Sequence, residues 1–307
     1  IYFGTPSSTT ATLSGLKITD AVFAGSTSTK QYPVMEFTNP VSGFIFDNVT
    51  FDSNYGNYAA LHFGSTVSGN TKFTDCNFTN NQNTNGNGGG LYVATANGVT
   101  LEGTTFDNNK VSGKGAGIYI NAGNNAQVDN CTFANHVITS TGAAIYWGAT
   151  NDFITSNSHF SNNKASEGAT IYFANSINNI NIQDSPFTGN EITTSHGGAI
   201  DASRASNLSI AGSTFDGNKA TQNGAGVYIP YGSMKATITN STFANHTING
   251  EGAAIYWGTS SDFHDSNSHF INNRAKNGAT IYFANSYIGT IDISYSTFTD
   301  NVVTSGN

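Results

Sequence analysis

The chain has 307 residues, of which only 10% are charged, and a formal net charge of −8. Eleven Lys and Arg scattered along an acidic chain leave no basic stripe to neutralise phosphates, which argues against a nucleic-acid surface. No apolar run approaches the roughly 20 residues of a membrane helix, and the start Ile1-Tyr2-Phe3 lacks the basic segment of a signal peptide. Low charge together with sparse apolar residues raises the question of disorder, but hydrophobic and aromatic residues (37% and 12%) recur at fixed intervals, so the chain folds.

In chain order, Ile1-Tyr2-Phe3 matches the Ile-Tyr-Phe of later units, such as Ile171-Tyr172-Phe173. Phe23 opens a degenerate copy, and residues 1–50 hold the least regular units. From there Phe-x-x-Asn or Phe-x-x-His begins at Phe51, Phe78, Phe106, Phe133, Phe160, Phe187, Phe215, Phe243, Phe270 and Phe298, every 27 or 28 residues. Seven and five positions before the Phe there is usually an apolar pair, such as Val99 and Leu101 or Ile180 and Ile182. After the Asn comes Gly-small-small-apolar-Tyr-apolar, as in Gly115–Ile120 and Gly142–Trp147. The stretch Phe133–Phe173 returns almost unchanged as Phe243–Phe283, an offset of 110 residues or four units.

Short alternating runs between Gly, Asn, Asp and Ser read as strands and turns. Each unit therefore holds three short strands: one ending in the apolar pair, one holding the Phe, one at Ile-Tyr-apolar. One unit cannot bury its apolar side alone, whereas stacked units form a continuous core. The period is too short for a propeller blade of about 40–50 residues, and no Leu-x-x-Leu-x-Leu signature is present. The expected fold is all-β: a right-handed parallel β-helix of 10–11 coils over residues 1–307 as a single domain. At about 4.8 Å per rung the rod is on the order of 50 Å long. The Asn of each unit (Asn54, Asn81, Asn109, Asn163, Asn190, Asn218, Asn273, Asn301) is placed in a turn, hydrogen-bonding along the stack in a left-handed backbone. His136 and His246 take its place as ladder substitutes. Neither end shows an atypical capping unit, and the chain is expected to be a fragment of a longer array.

The paired motifs Phe-x-x-Asn and Gly-Gly-Ala-Ile resemble the repeats of chlamydial polymorphic outer-membrane proteins. The fuller form FANHTINGEGAAIYWG (residues 243–258) is similar to the adhesin-like surface proteins of methanogenic archaea. The resemblance covers nearly the whole chain. It departs in the first units, where Glu36 and His62 stand in place of Tyr. It implies a secreted or cell-surface β-helix engaged in adhesion, a monomeric rod within a larger surface protein, contacting a glycan or protein of another cell.

Strand alternation turns the middle residue of Ile-Tyr-apolar outward and stacks these residues in register. The resulting strip comprises Tyr92, Tyr119, Tyr146, Tyr172, Asp201, Tyr228, Tyr256 and Tyr282, preceded by Tyr2, Glu36 and His62. Small residues two positions earlier, among them Gly90, Gly117, Ala144 and Gly226, place a shallow trough beside it. An exposed Tyr ladder suits glycan stacking or protein contact; it also stabilises a sheet by ring stacking, and the two roles coexist.

The alternative is a polysaccharide lyase or glycoside hydrolase. That chemistry needs converging carboxylates, or carboxylates with Arg or Lys. Its best candidate is Asp201 with Arg204 and His196, yet the rungs beside Asp201 carry Tyr172 and Tyr228. Asp152 and Asp262 recur through duplication near a turn. A non-enzymatic module is therefore expected. No cofactor or metal is expected, since no calcium-loop or His/Cys ligand spacing occurs. An ice-binding face lacks a Thr ladder. Six Asn-x-Ser/Thr sequons, at Asn48, Asn77, Asn130, Asn207, Asn240 and Asn245, are compatible with a secreted glycoprotein. Cys76 and Cys131 sit two coils apart, about 9–10 Å by the strand spacing, too far for a disulfide.

Overall fold

The computed structural model describes residues 1–3, 11–27, 32–203, 205–232, 234–285 and 289–305. Every unit winds once around a common axis, and every named strand pairs in parallel with its counterpart 27 or so residues away. Three long sheets result. The first holds the Ile-Tyr-apolar strands from Tyr2–Phe3 to Ile281–Phe283. The second, here the middle sheet, runs from Lys17–Thr19 to Ile291–Ser294, and the third, the Phe sheet, from Val22–Ala24 to Thr297–Thr299. Connections between parallel strands take the right-handed path.

Inward positions form one core from Met35 to Phe270. Its spine is the motif Phe: from Phe23 to Phe298 each ring lies on the next, with centroids 4.5–5.2 Å apart. That separation is the strand spacing itself, so ring stacking costs the sheet no distortion. From Cys76 to Ser268 the position two before each Phe holds a buried small side chain. From Ser158 to Ser268 its hydroxyl accepts the backbone N–H of the preceding coil's counterpart. Cys76 and Cys131 occupy this column as free thiols, with burial raising their pKa to about 11 and about 12.

The Asn ladder lies inside the turn after the Phe. Asn81 Nδ2 donates to Asn109 Oδ1 (3.0 Å) and to the Phe51 carbonyl (2.8 Å), and the same pair of bonds recurs at Asn163 and Asn190. The left-handed residue is not this Asn but its predecessor, such as Asn80, Asn108 or Asn162. The predecessor's positive φ makes the turn and aims the next side chain inward. His136 and His246 hold the same column: Asn109 N–H donates to His136 Nδ1 (3.1 Å), and His136 N–H to Asn163 Oδ1 (3.2 Å).

A fourth short strand follows the Asn turn, as at Lys110–Val111, Lys164–Ala165 and Arg274–Ala275. Three strands per unit is thus corrected to four in these coils. The signal is an apolar residue two positions after the ladder Asn. Val111, Ala165 and Ile192 pack with Ala116 and Ala143 into a small second core beside the main one.

A half-buried tyrosine strip as the candidate functional site

The strip is built by the register of the first sheet. Tyr2 pairs with Glu36, Glu36 with His62, His62 with Tyr92, and the column continues without slippage through Tyr119, Tyr146, Tyr172, Asp201, Tyr228 and Tyr256 to Tyr282. The rings stack in two runs. Tyr92, Tyr119, Tyr146 and Tyr172 have centroids 4.8–5.5 Å apart, and Tyr228, Tyr256 and Tyr282 5.2–5.6 Å. His62 extends the first run, 4.4 Å from Tyr92.

The expectation of a freely exposed ladder is corrected. Tyr92, Tyr146, Tyr172, Tyr228, Tyr256 and Tyr282 are half-buried, and Tyr119 and Asp201 are buried at 7% and 6% exposure. The cause is a rim formed by the loop that precedes each strand. Lys114 places its ammonium 4.8 Å from the centre of the Tyr146 ring. Gly168, at φ +74°, lies so close to the Tyr172 ring that an added Cβ would come within 2.8 Å of it. On the other side Tyr119 donates its hydroxyl proton to Asn121 Oδ1 (3.1 Å). Desolvation raises the Tyr119 pKa to about 12 and also raises those of Tyr92, Tyr228 and Tyr256.

The trough of small residues is also overturned. Gly90, Gly117, Ala144 and Gly226 are buried, and a Cβ on Gly117 would face Phe133 and His136 Nε2. The chain enters the strand through a left-handed Gly two residues before this position (Gly88, Gly115, Gly224), so strand alternation does not reach back that far. These residues fill space above the Phe spine.

At Asp201 the aromatic stack is interrupted and then repaired from the rim. His196 lies flat on Tyr228, with centroids 4.2 Å apart and planes 8° from parallel. Asn223 N–H donates to its Nδ1 (3.2 Å). Asp201 accepts the Ser203 hydroxyl at 2.7 Å, and burial raises its pKa to about 7. Arg204 lies outside the described residues. His136 and His246 point into the core, where burial lowers their pKa to about 3 and about 4; they are neutral ladder members. Asp152 and Asp262 cap neighbouring rungs, accepting Asn179 Nδ2 (2.6 Å) and the Thr290 N–H (2.8 Å) respectively. Among the described residues no three His, Cys, Asp or Glu gather into a metal-binding group, and no helix is long and apolar enough to cross a membrane.

Stacked parallel coils with in-register side-chain ladders define a parallel β-helix repeat protein. The sequence model of the right-handed β-helix region matches residues 7–192 and again 67–267, and the chain belongs to that family. No curated protein and no solved structure matches it.

Proposed function

We propose that this β-helix is an adhesin-type module of a surface protein: a stalk that presents the tyrosine strip to a glycan or protein of another cell. The carrying observation is the unbroken register of Tyr92, Tyr119, Tyr146 and Tyr172, repeated at Tyr228, Tyr256 and Tyr282. Half-buried rings held by a rim are pre-organised, so a ligand orders little on binding. Each ring contact contributes on the order of 1 kcal/mol, and two runs on one rod favour weak sites that gain strength through multivalency. The binding reading is preferred over a polysaccharide-degrading one because the ladder neighbours of Asp201 are Tyr172 and Tyr228. Two carboxylates do not meet on that column.

The test is attachment to cells and to a glycan array by the wild type and by Tyr146→Ala with Tyr256→Ala, alongside thermal unfolding. Attachment lost at unchanged melting temperature supports the reading. Attachment retained per folded molecule, with stability lost, assigns the ladder to the sheet alone.

A further inference from the structure

The outer face of the middle sheet carries a second concavity, on a different side of the coil from the tyrosine strip. Pairing places Ile154, Asn181, Ser209, Thr237 and His264 on one straight column. Over its central rungs lies an open depression of about 550 Å³, and a further one of about 260 Å³ adjoins it at Asp152 and Ile154. Four rung spacings from Ile154 to His264 span about 19 Å at the strand repeat, the reach of a short oligosaccharide.

The rim and the floor of this concavity differ in their hydrogen bonding. The buried Asn column of the rod zips to itself. The rim of the depression does likewise: Asn207 Nδ2 donates to Asn179 Oδ1 at 3.0 Å, and Lys235 pairs with Asp262 at 3.7 Å. The floor does not. Among the described residues Asn181, Ser209 and Thr237 make no side-chain hydrogen bond to the protein, so their donors and acceptors point into the depression unpaired. Ile154, 38% exposed, and the His264 ring bracket them with apolar surface suited to the C–H face of a sugar. Among the described residues the lining's one Lys, Lys235, is paired with Asp262, and His264 lies 3.9 Å from Asp292, so the face does not select by charge.

We propose that this groove is a binding site for a neutral, linear glycan, distinct from the tyrosine strip. Asn181, Ser209 and Thr237 bond ligand hydroxyls, and Ile154 and His264 pack against its rings. A small number of placed polar groups between apolar contacts is the usual make-up of such sites. Because Asn207 stands in a glycosylation sequon at the rim, the test uses protein made without N-glycosylation.

Neutral glucan, xylan and mannan oligosaccharides are titrated into the rod by calorimetry and amide NMR. Shifts confined to Asn179–Asn181, Asn207–Ser209 and Lys235–Thr237 are expected with at least one of them. Ser209→Arg with Thr237→Arg should weaken that binding at least tenfold at unchanged melting temperature. Should that pair unfold, the exposed single change Asn181→Arg serves instead. Tyr146→Ala should leave this binding intact, which separates the groove from the strip. The proposal is overturned if all three glycan classes give no shifts at millimolar concentration. It is also overturned if only anionic glycans bind, or if Tyr146→Ala abolishes binding that the groove variants retain.

Discussion

Residues Phe133–Phe173 and Phe243–Phe283 are two copies of one design, and their few differences show what the coil requires. Trp147 and Trp257 are both fully buried against Phe153 and Phe263, at 5.0 and 5.2 Å. His136 and His246 occupy the same ladder column, and the same turns are left-handed at Asn135 and Asn245. The interior of the middle sheet differs. Thr155 lies between Val128 and Ile182 in the first copy, whereas Asp265 lies between Ile238 and Ile293 in the second. Asp265 Oδ2 accepts the Ser296 hydroxyl at 2.7 Å, but Oδ1 has no partner, nor has Thr155 Oγ1 or either Trp Nε1. A buried carboxylate with one open oxygen is expensive. The stack carries it because each coil is held by its own ladder bonds to its neighbours, so a local cost stays local.

The strongest way to break the equivalence of the copies is through the spine. Phe133→Ala and Phe243→Ala should each cost about 3–5 kcal/mol. The two costs should agree closely, since their stacking neighbours lie at 5.0 and 5.0 Å in one copy and 4.7 and 5.2 Å in the other. Denaturant unfolding measures both; a large difference would show that the copies are energetically unlike despite their geometry.

Acid acts next. The folded-state pKa of His136 is about 3 and of His246 about 4, against 6.5 when unfolded. The unfolded chain therefore binds more protons between those values, and stability falls as pH drops below 6.5. At pH 5 the loss is about 2 kcal/mol per histidine. Asp201 has the opposite sign: its raised pKa, about 7, adds stability as pH falls from 7 toward 4, offsetting part of the loss. Replacing both histidines by the ladder residue, His136→Asn with His246→Asn, should remove their part of the acid limb and leave the part due to His62 and His196, whose pKa values burial also lowers. An unchanged limb would place the acid sensitivity elsewhere.

The interior difference is sharpened by removing it. Asp265→Val should raise stability by about 1–2 kcal/mol, because it deletes an unpaired buried oxygen, while Ser296 keeps its bond to the Ser294 carbonyl. Thr155→Val, which deletes only a hydroxyl, should gain about 1 kcal/mol or less. A loss on Asp265→Val would mean that the carboxylate is fully partnered.

Much of this organisation was legible in the sequence. A strict repeat fixes register, so the columns from Tyr2 to Tyr282 and from Phe23 to Phe298 follow from spacing alone. Asp265 was legible too: it stands five residues before Phe270, where other coils carry Ile182 or Ile293, and that spacing marks it as inward. The rim over the tyrosines was not legible, since it depends on how Gly168 and its counterparts fold the loop back onto the rings. Nor was the trough's inward direction, because alternation holds only within a strand and the left-handed Gly breaks it. The middle-sheet groove left no periodic trace, because Asn181, Ser209 and Thr237 are ordinary outward polar residues in a polar chain.

The rim offers the smallest comparison. Lys114 covers the Tyr146 ring in the first copy, while the residue at its repeat position four coils on is Asn223, whose Oδ1 accepts the Glu251 N–H at 2.9 Å. One copy thus holds its rim by a cation over a ring and the other by a backbone hydrogen bond. Lys114→Asn should cost about 0.5–1 kcal/mol, the range of a cation–π contact near the surface. Part of that is recovered if the new side chain reaches the Thr141 N–H as Asn223 reaches Glu251. Asn223→Lys gives up the bond to Glu251 and should cost a similar amount, about 0.5–1.5 kcal/mol. Melting temperatures of the two variants and of the double variant check this. Equal, additive losses of a few degrees are expected, since Lys114 and Asn223 lie four coils apart and share no partner. Marked non-additivity would show that the rim is one cooperative element along the strip, and that neither copy of the tyrosine run is set by its own loop.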